Sequence, residues 1–154
     1  MDKKNNKLVI QQLDKKIQIL QPLKGLVQPP EGWIATIRKT LNMSLRQLGN
    51  RMSITPQSIR DMELREKEGT VSINTLRQAA DCLEMKLIYA FVPKDESLEK
   101  MIERRARKIA IGIIQRTSLT MKLEDQENSK ERLNEAAKEM TEQLLRELPK
   151  SLWD

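Results

Sequence analysis

Residues 44–63, SLRQLGNRMSITPQSIRDME, decide the fold of this chain. Ser44 and Thr55 each precede a short run of apolar residues at helical spacing, and both are residue types that cap helix N-termini. Pro56 follows Thr55 at the first helical position, where the missing N–H of proline does no harm. The stretch therefore predicts two short helices joined by a tight turn, one over residues 45–52 and one that begins at Pro56.

Gly49 lies in the middle of the first of these helices, where glycine costs about 1 kcal/mol relative to alanine. We expect another helix to approach closely there, as a helix-turn-helix requires. Ile54, in the turn, is expected to point into the core. Two capped helices across a short turn form a helix-turn-helix, a motif whose second helix enters the major groove of DNA.

The second helix presents polar side chains to solvent, because Ile59 and Met62 are expected to face inward. Glutamine can donate and accept together at an adenine edge, and arginine favours the O6 and N7 atoms of guanine. Serine and the N-terminal backbone amides suit phosphate or base contacts. These side chains can equally form an ordinary polar helix face. The candidate reading residues are Gln57, Ser58, Arg60 and Asp61.

Two basic residues, Arg65 and Lys67, are expected in a loop after the second helix. Such a loop would lie along the DNA backbone, so both residues are candidates for phosphate contacts, or else solvated loop charges. Ser72 then caps a further helix that ends near Leu83.

Composition limits the function classes. The chain has 28 Lys and Arg against 22 Asp and Glu, which favours an anionic partner, although residues 117–154 hold six basic and nine acidic residues. It has no His and one Cys, Cys82, which excludes an internal disulfide, a Cys/His metal site and His-based catalysis. Cys82 is expected to be a packing residue. We expect neither an enzyme nor a cofactor.

No run of 18 apolar residues is present, and the segment MDKKNNK lacks the apolar stretch of a signal peptide. We therefore expect no membrane association and a cytoplasmic location.

The flanking segments read as helices with one exception. Residues 7–20 form an amphipathic helix that packs either on its own domain or on a second subunit. Residues 85–93, MKLIYAFVP, form the one candidate strand. A lone strand needs a partner, so it pairs with the same strand of a second subunit, or else it is a buried extended segment over the helical core.

Two helices are expected after this segment. Ser97 caps the first, whose basic cluster is expected to be a solvated face, or else a contact to DNA phosphates or an acidic partner. The second starts near Ser129 and is stopped by Pro149. The basic cluster consists of Arg104, Arg105, Arg107 and Lys108.

The fold class is therefore all-α for the most part, with one dimerising strand as a candidate. Four segments are predicted: an N-terminal helix and linker (1–31), a DNA-binding domain (32–84), the strand (85–93) and C-terminal helices (94–154).

Residues from Ile34 to Leu83 resemble an Xre/Cro/cI-type domain, which has the lambda-repressor-like fold. The resemblance rests on Arg38, Ser44, Leu48, Gly49, Ile54, Thr55, Ile59, Glu63, Leu76, Ala80 and Leu83. More narrowly, residues from about 8 to 116 resemble the family named mobile mystery protein A. The motifs that carry this second likeness are Pro30–Ile34, Met43-Ser44, Gln47-Leu48, Glu63…Glu66…Glu68-Gly69-Thr70 and Tyr89–Pro93.

The resemblance implies a compact bundle of short helices and an internal ion pair between Arg38 and Glu63. It implies a phosphate contact at Ser44. Leu45 departs from the family, because many relatives carry a glutamine there, and Pro56 replaces a polar residue. The base-facing positions that it implies are Thr55, Pro56, Gln57, Arg60 and Asp61.

The family also implies a partner. Its members are typically encoded beside a Fic-domain protein, which suggests an antitoxin that represses its own operon, while the candidate strand at residues 85–93 indicates a homodimer. The alternative is a protein-interaction module that grips the partner through residues 97–154, with DNA binding secondary. Residues 120–125, TMKLED, have the spacing of an inhibitory motif of some Fic regulators, but Asp125 departs from it at the last position.

Overall fold

The chain folds into helices joined by short connections. The computed structural model describes residues 3–120 and 126–154, and side chains over residues 6–117 and 130–154. Within these ranges there are seven α-helices and no β-strand, which confirms the mostly helical prediction. Two 3-10 helices lie at Gln21–Gly25 and Lys150–Trp153. The α-helices are α1 (Lys3–Gln18), α2 (Trp33–Thr40), α3 (Leu45–Met52), α4 (Pro56–Glu68), α5 (Ile73–Cys82), α6 (Leu98–Thr120) and α7 (Gln126–Glu147).

The helices form two compact units. The central unit spans Gly25–Ala90, and the flanking unit combines Met1–Lys24 with Phe91–Asp154. The contacts thus divide the chain differently from the four predicted segments, because α1 belongs with the C-terminal helices.

In the central unit, α2, α3, α4 and α5 surround an aliphatic core. Half-buried Leu76 and Cys82 pack against this core, as the sequence predicts for Cys82. Burial of such side chains supplies about 1.5–3 kcal/mol each, the main stabilising term in a core without aromatic residues. The buried members are Ile34, Leu48, Ile59, Met62, Ala79 and Leu83.

In the flanking unit, α1 and α7 pack on α6. Ile10 of α1 and Leu145 of α7 lie against a core that includes Ile102 and Leu152. The carboxylate of Asp14, which is 9% exposed, accepts hydrogen bonds from the backbone N–H groups of Leu98 and Glu99 at 2.8 and 3.1 Å. The apolar face of α1 is therefore partly buried against its own chain, although Leu8, Val9 and Leu13 stay exposed.

The basic cluster of α6 is only partly a solvated face. Arg104 forms a two-pronged ion pair with Asp95, in which Nε–Oδ1 and Nη2–Oδ2 are 3.1 and 3.0 Å apart. The hydrogen bond from Arg104 lowers the pKa of the Asp95 carboxyl. Arg105 donates to the carbonyl oxygens of Leu152 and Asp154. Arg107 and Lys108 are exposed, as predicted.

The structure contradicts one expectation and one alternative about side-chain placement, and one motif lies outside the described residues. Ile54 is 38% exposed rather than inward, because its backbone N–H is tied to Gly49 O at 2.9 Å in the turn. Residues 85–93 are not a buried segment over the core, since Ile88, Tyr89 and Phe91 are 72%, 61% and 91% exposed. Residues 121–125, most of the TMKLED motif, lie outside the described residues.

Candidate nucleic-acid interface

Helices α3 and α4 are joined by the three residues Ser53, Ile54 and Thr55. A Cβ atom on Gly49 would lie 2.7 Å from Ile54 O and 3.4 Å from the carbonyl carbon of Thr55. Such a contact is too short for carbon and oxygen, so the turn can only pass over α3 where the residue has no side chain. A close approach at Gly49 is therefore present as predicted, but the backbone of the turn makes it rather than another helix.

Both helices begin at the predicted caps. The Ser44 hydroxyl accepts from Gln47 N at 3.1 Å, and the Gln47 side chain accepts from Ser44 N at 2.8 Å, which completes a capping box. The Thr55 hydroxyl accepts from Ser58 N at 3.1 Å, and Pro56 is the first residue of α4. These bonds satisfy N–H groups that have no partner inside a helix, so they fix where α3 and α4 start.

The first two turns of α4 present polar residues to solvent. Gln57, Arg60 and Asp61 are exposed, while Ile59 and Met62 are buried, as predicted. Gln57 Nε2 donates to Asp61 Oδ1 over 3.0 Å. Arg60 makes no hydrogen bond or ion pair to the described part of the chain, so its guanidinium is free to meet a ligand.

Ser58 is half-buried rather than outward. Its hydroxyl lies 2.8 Å from the Thr55 hydroxyl, so the two side chains are occupied with each other at the helix start. Ser44, Thr55 and Pro56 are exposed. Ser44 and Thr55 thus contribute to the surface while they cap their helices.

The predicted loop at residues 64–72 is wrong in its first half. Helix α4 continues to Glu68 and ends at Gly69, whose φ of 78° is the left-handed conformation common after helix ends. Good helix formers fill Leu64 to Glu68, so nothing before Gly69 stops the helix. Arg65 and Lys67 therefore lie in the last turn of α4, both exposed, and Arg65 Nε donates to Asp61 O at 3.3 Å.

The ion pair implied by the resemblance is present. Arg38 Nε and Glu63 Oε1 are 2.6 Å apart, and both side chains are nearly buried. Arg38 also donates to Met43 O at 2.8 Å. This pair links α2 to the C-terminal half of α4 and leaves neither residue available to a ligand.

Glu66 has a role that sequence reasoning missed. Its carboxylate accepts from Trp33 N at 2.8 Å and Ile34 N at 2.9 Å, so α4 caps the start of α2. Gly32, which precedes α2, is buried with φ 88°, and a Cβ there would meet Glu66 Cδ at 2.8 Å. The signal in the sequence was weak, because a glutamate in a helix usually faces water.

Sequence reasoning also missed Leu64, which is 51% exposed. It lies seven residues after Gln57 and three after Asp61, so the three side chains share one face of α4. An apolar side chain on such a face can contact the methyl group of thymine. The i, i+4, i+7 spacing from Gln57 could have found it if the helix had been extended past Glu63.

The central unit is rich in exposed cations around these helices. Arg46 in the first turn of α3 is exposed and makes no ion pair in the described residues. Lys39 is paired with Glu31 at 2.5 Å, and its hydrogen bond and charge lower the pKa of that carboxyl.

Among the described residues, no group of three or more His, Cys, Asp or Glu could hold a metal ion.

Comparison of the chain with models of known protein families, with characterised proteins and with solved structures finds no match. None of the helices in residues 3–120 and 126–154 is both long and apolar enough to cross a membrane.

Proposed function

We propose that the central unit is a helix-turn-helix of the lambda-repressor-like kind, and that the chain is a sequence-specific transcriptional regulator in the cytoplasm. In this proposal α4 is the recognition helix, and it reads bases through Gln57 and Arg60. Ser44, Arg65 and Lys67 hold the DNA backbone. Two copies with their α4 helices about 34 Å apart would read a palindromic operator.

The observation that carries the proposal is the pairing of α3 with α4 over Gly49. The two capped helices are joined by a three-residue turn, and the turn passes so close to Gly49 that a Cβ there would lie 2.7 Å from its backbone. The outer face of α4 is exposed to solvent. That face holds a glutamine and an unpaired arginine near the helix N-terminus, the region from which a recognition helix contacts base edges. An ordinary polar helix face needs neither the fixed turn nor the free Arg60.

The test is DNA binding by the full chain and by two single variants. Fragments from the region upstream of its own gene serve as specific DNA, and random DNA serves as competitor. We expect Gln57→Ala to weaken specific binding by about 5- to 150-fold and to leave random binding nearly unchanged, since a bidentate base contact is worth roughly 1–3 kcal/mol.

Arg65→Ala is the matched control, because it changes another exposed side chain of the same helix. A lost phosphate contact should weaken specific and random binding by similar factors and reduce the slope of log affinity against log salt by about 1. Equal losses of specificity in the two variants would contradict the assigned roles. Absence of any selective binding by the unmodified chain would overturn the proposal.

We also propose that residues 85–93 join two copies. Three observations support this. The backbone N–H groups of residues 86–92 make no hydrogen bond to the described chain, four large apolar side chains are exposed, and Lys86 is the only charge in the segment. Antiparallel pairing centred near Tyr89 would satisfy the backbone, pack Phe91 of each copy against Leu87 of the other, and keep the two Lys86 residues at opposite ends.

The resemblance extends the proposal to an autorepressing antitoxin paired with a Fic-domain toxin. The alternative, in which binding of a partner protein is the main activity, has one supporting observation. A groove of about 590 Å³ in the flanking unit is lined by side chains of α1, α6 and α7, among them Ile10, Ile102 and Leu145. Gln57→Ala separates the two: if it still neutralises the product of the neighbouring gene but no longer binds the operator, partner inhibition is independent of DNA.

A further inference from the structure

The hydrogen bond between Gln57 and Asp61 restricts what the glutamine can offer to a ligand. Nε2 of Gln57 lies 3.0 Å from Oδ1 of Asp61, one helical turn further on. Both residues are exposed, and no other hydrogen bond or ion pair to the Asp61 carboxylate is present in the described residues. The carboxylate thus acts on this one amide.

A glutamine amide has one acceptor oxygen and two N–H donors, and it can turn over by 180°. A carboxylate accepts hydrogen bonds and repels the amide oxygen, so Asp61 holds Nε2 toward itself and Oε1 away. One N–H and Oε1 then remain free. This donor and acceptor match the N7 and N6 groups of adenine, whereas guanine presents two acceptors, N7 and O6.

We propose that Asp61 is a positioning residue that fixes the orientation of the Gln57 amide and so makes it select adenine over guanine. The inference rests on the proposed DNA-binding function, because it names the specificity of that same surface. It also changes the role of Asp61, which would otherwise be assigned to contact the DNA directly and whose negative charge opposes phosphate binding.

Two substitutions separate positioning from charge. Asp61→Ala and Asp61→Asn both remove the negative charge, so both should raise affinity for random DNA by a similar factor. Asparagine keeps an oxygen that can accept from Gln57 Nε2, but its own amide can turn over and donate to Oε1 instead. The hydrogen bond should therefore survive Asp61→Asn with a less fixed orientation and a weaker base preference, and both should be lost in Asp61→Ala.

The first readout needs no DNA. The side-chain amide of Gln57 is followed by NMR in the free full-length chain, through its hydrogen exchange and its relaxation. We expect a slowly exchanging, ordered amide in the unmodified protein and in Asp61→Asn, and a mobile one in Asp61→Ala. An amide that is equally mobile in all three proteins would overturn the inference without bearing on DNA binding.

The second readout is selection of binding sites from a random DNA pool. We expect an adenine at one position of each half-site, with a preference over guanine of about tenfold. Gln57→Ala and Asp61→Ala should lose the preference at that same position, and Asp61→Asn should keep only part of it. If Gln57→Ala loses it while Asp61→Ala keeps it, Asp61 does not position the amide. If the unmodified chain enriches no sequence, the proposed function itself fails, and the inference fails with it.

Discussion

At the scale of single residues, two carboxylates hold helices that are distant in sequence. Glu66 of α4 receives two backbone N–H groups at the start of α2, and Asp14 of α1 receives two at the start of α6. The first N–H groups of a helix have no partner within it, and the helix dipole favours negative charge there. One such contact therefore stabilises each unit.

Replacement of Glu66 tests this in the central unit. Glu66→Ala leaves two N–H groups of α2 without an acceptor, and we expect a loss of about 1–3 kcal/mol in the free energy of unfolding. Glu66→Gln keeps one acceptor oxygen and should lose less. Urea unfolding followed by Trp33 fluorescence in a Trp153→Phe background reports on the central unit, because the two tryptophans belong to different units.

Glu68→Ala is the control for this measurement. Glu68 is exposed and has no hydrogen bond or ion pair in the described residues, so its removal should change stability by no more than about 0.5 kcal/mol. A Glu66→Ala protein as stable as the Glu68→Ala protein would mean that the contact to Trp33 and Ile34 contributes nothing.

At the scale of elements, the geometry of α3 and α4 depends on a missing side chain. The backbone of the turn lies against Gly49, where a Cβ would meet Ile54 O at 2.7 Å. Gly112 lies within α6 with nothing within 4 Å of an added Cβ. The two glycines have the same intrinsic disadvantage in a helix and differ in what surrounds them.

Substitution by alanine should therefore have opposite effects at these two positions. Gly49→Ala gains helix propensity but forces the turn away from α3, and we expect a net loss of about 1–3 kcal/mol together with weaker DNA binding. Gly112→Ala should gain about 0.5–1 kcal/mol. Urea unfolding, followed by the tryptophan of each unit, measures both. A Gly49→Ala protein with unchanged stability would show that the turn is free to move.

At the scale of the whole molecule, the exposed segment at residues 85–93 bears on assembly. A monomer of 17.9 kDa leaves the apolar side chains of Ile88, Tyr89 and Phe91 in water. Adjacent exposed aromatic and aliphatic side chains of this kind mark interaction surfaces.

Phe91→Asp is expected to convert a dimer into a monomer, because pairing centred near Tyr89 would set each new charge against the apolar Leu87 of the other copy. Sedimentation or light scattering gives the mass of the particle, and operator affinity should fall with the loss of the dimer. Val27→Asp is the control, since Val27 is 84% exposed and also lies in a non-helical segment. An unmodified chain that is monomeric at micromolar concentration, or a Phe91→Asp protein that remains dimeric, would contradict the proposal.

The local features of the candidate site could be predicted. Ser44, Thr55, Ser72 and Ser97 cap helices as their positions in the sequence indicate, and Gly49 is the point of close approach. Capping bonds and apolar periodicity involve residues within about one helical turn of one another, so the order of residues along the chain is enough to specify them.

The sequence by itself determined that the chain is mostly helical, and it determined the residues at which α3 and α4 begin. Only the tertiary structure decided the partner of α1, the capping roles of Glu66 and Asp14, the continuation of α4 through Arg65 and Lys67, and the exposure of residues 85–93. Most of these depend on which apolar faces and free N–H groups meet across 30 to 85 residues. Contacts at that separation are chosen by the packing of the entire unit, and no short stretch of sequence contains them.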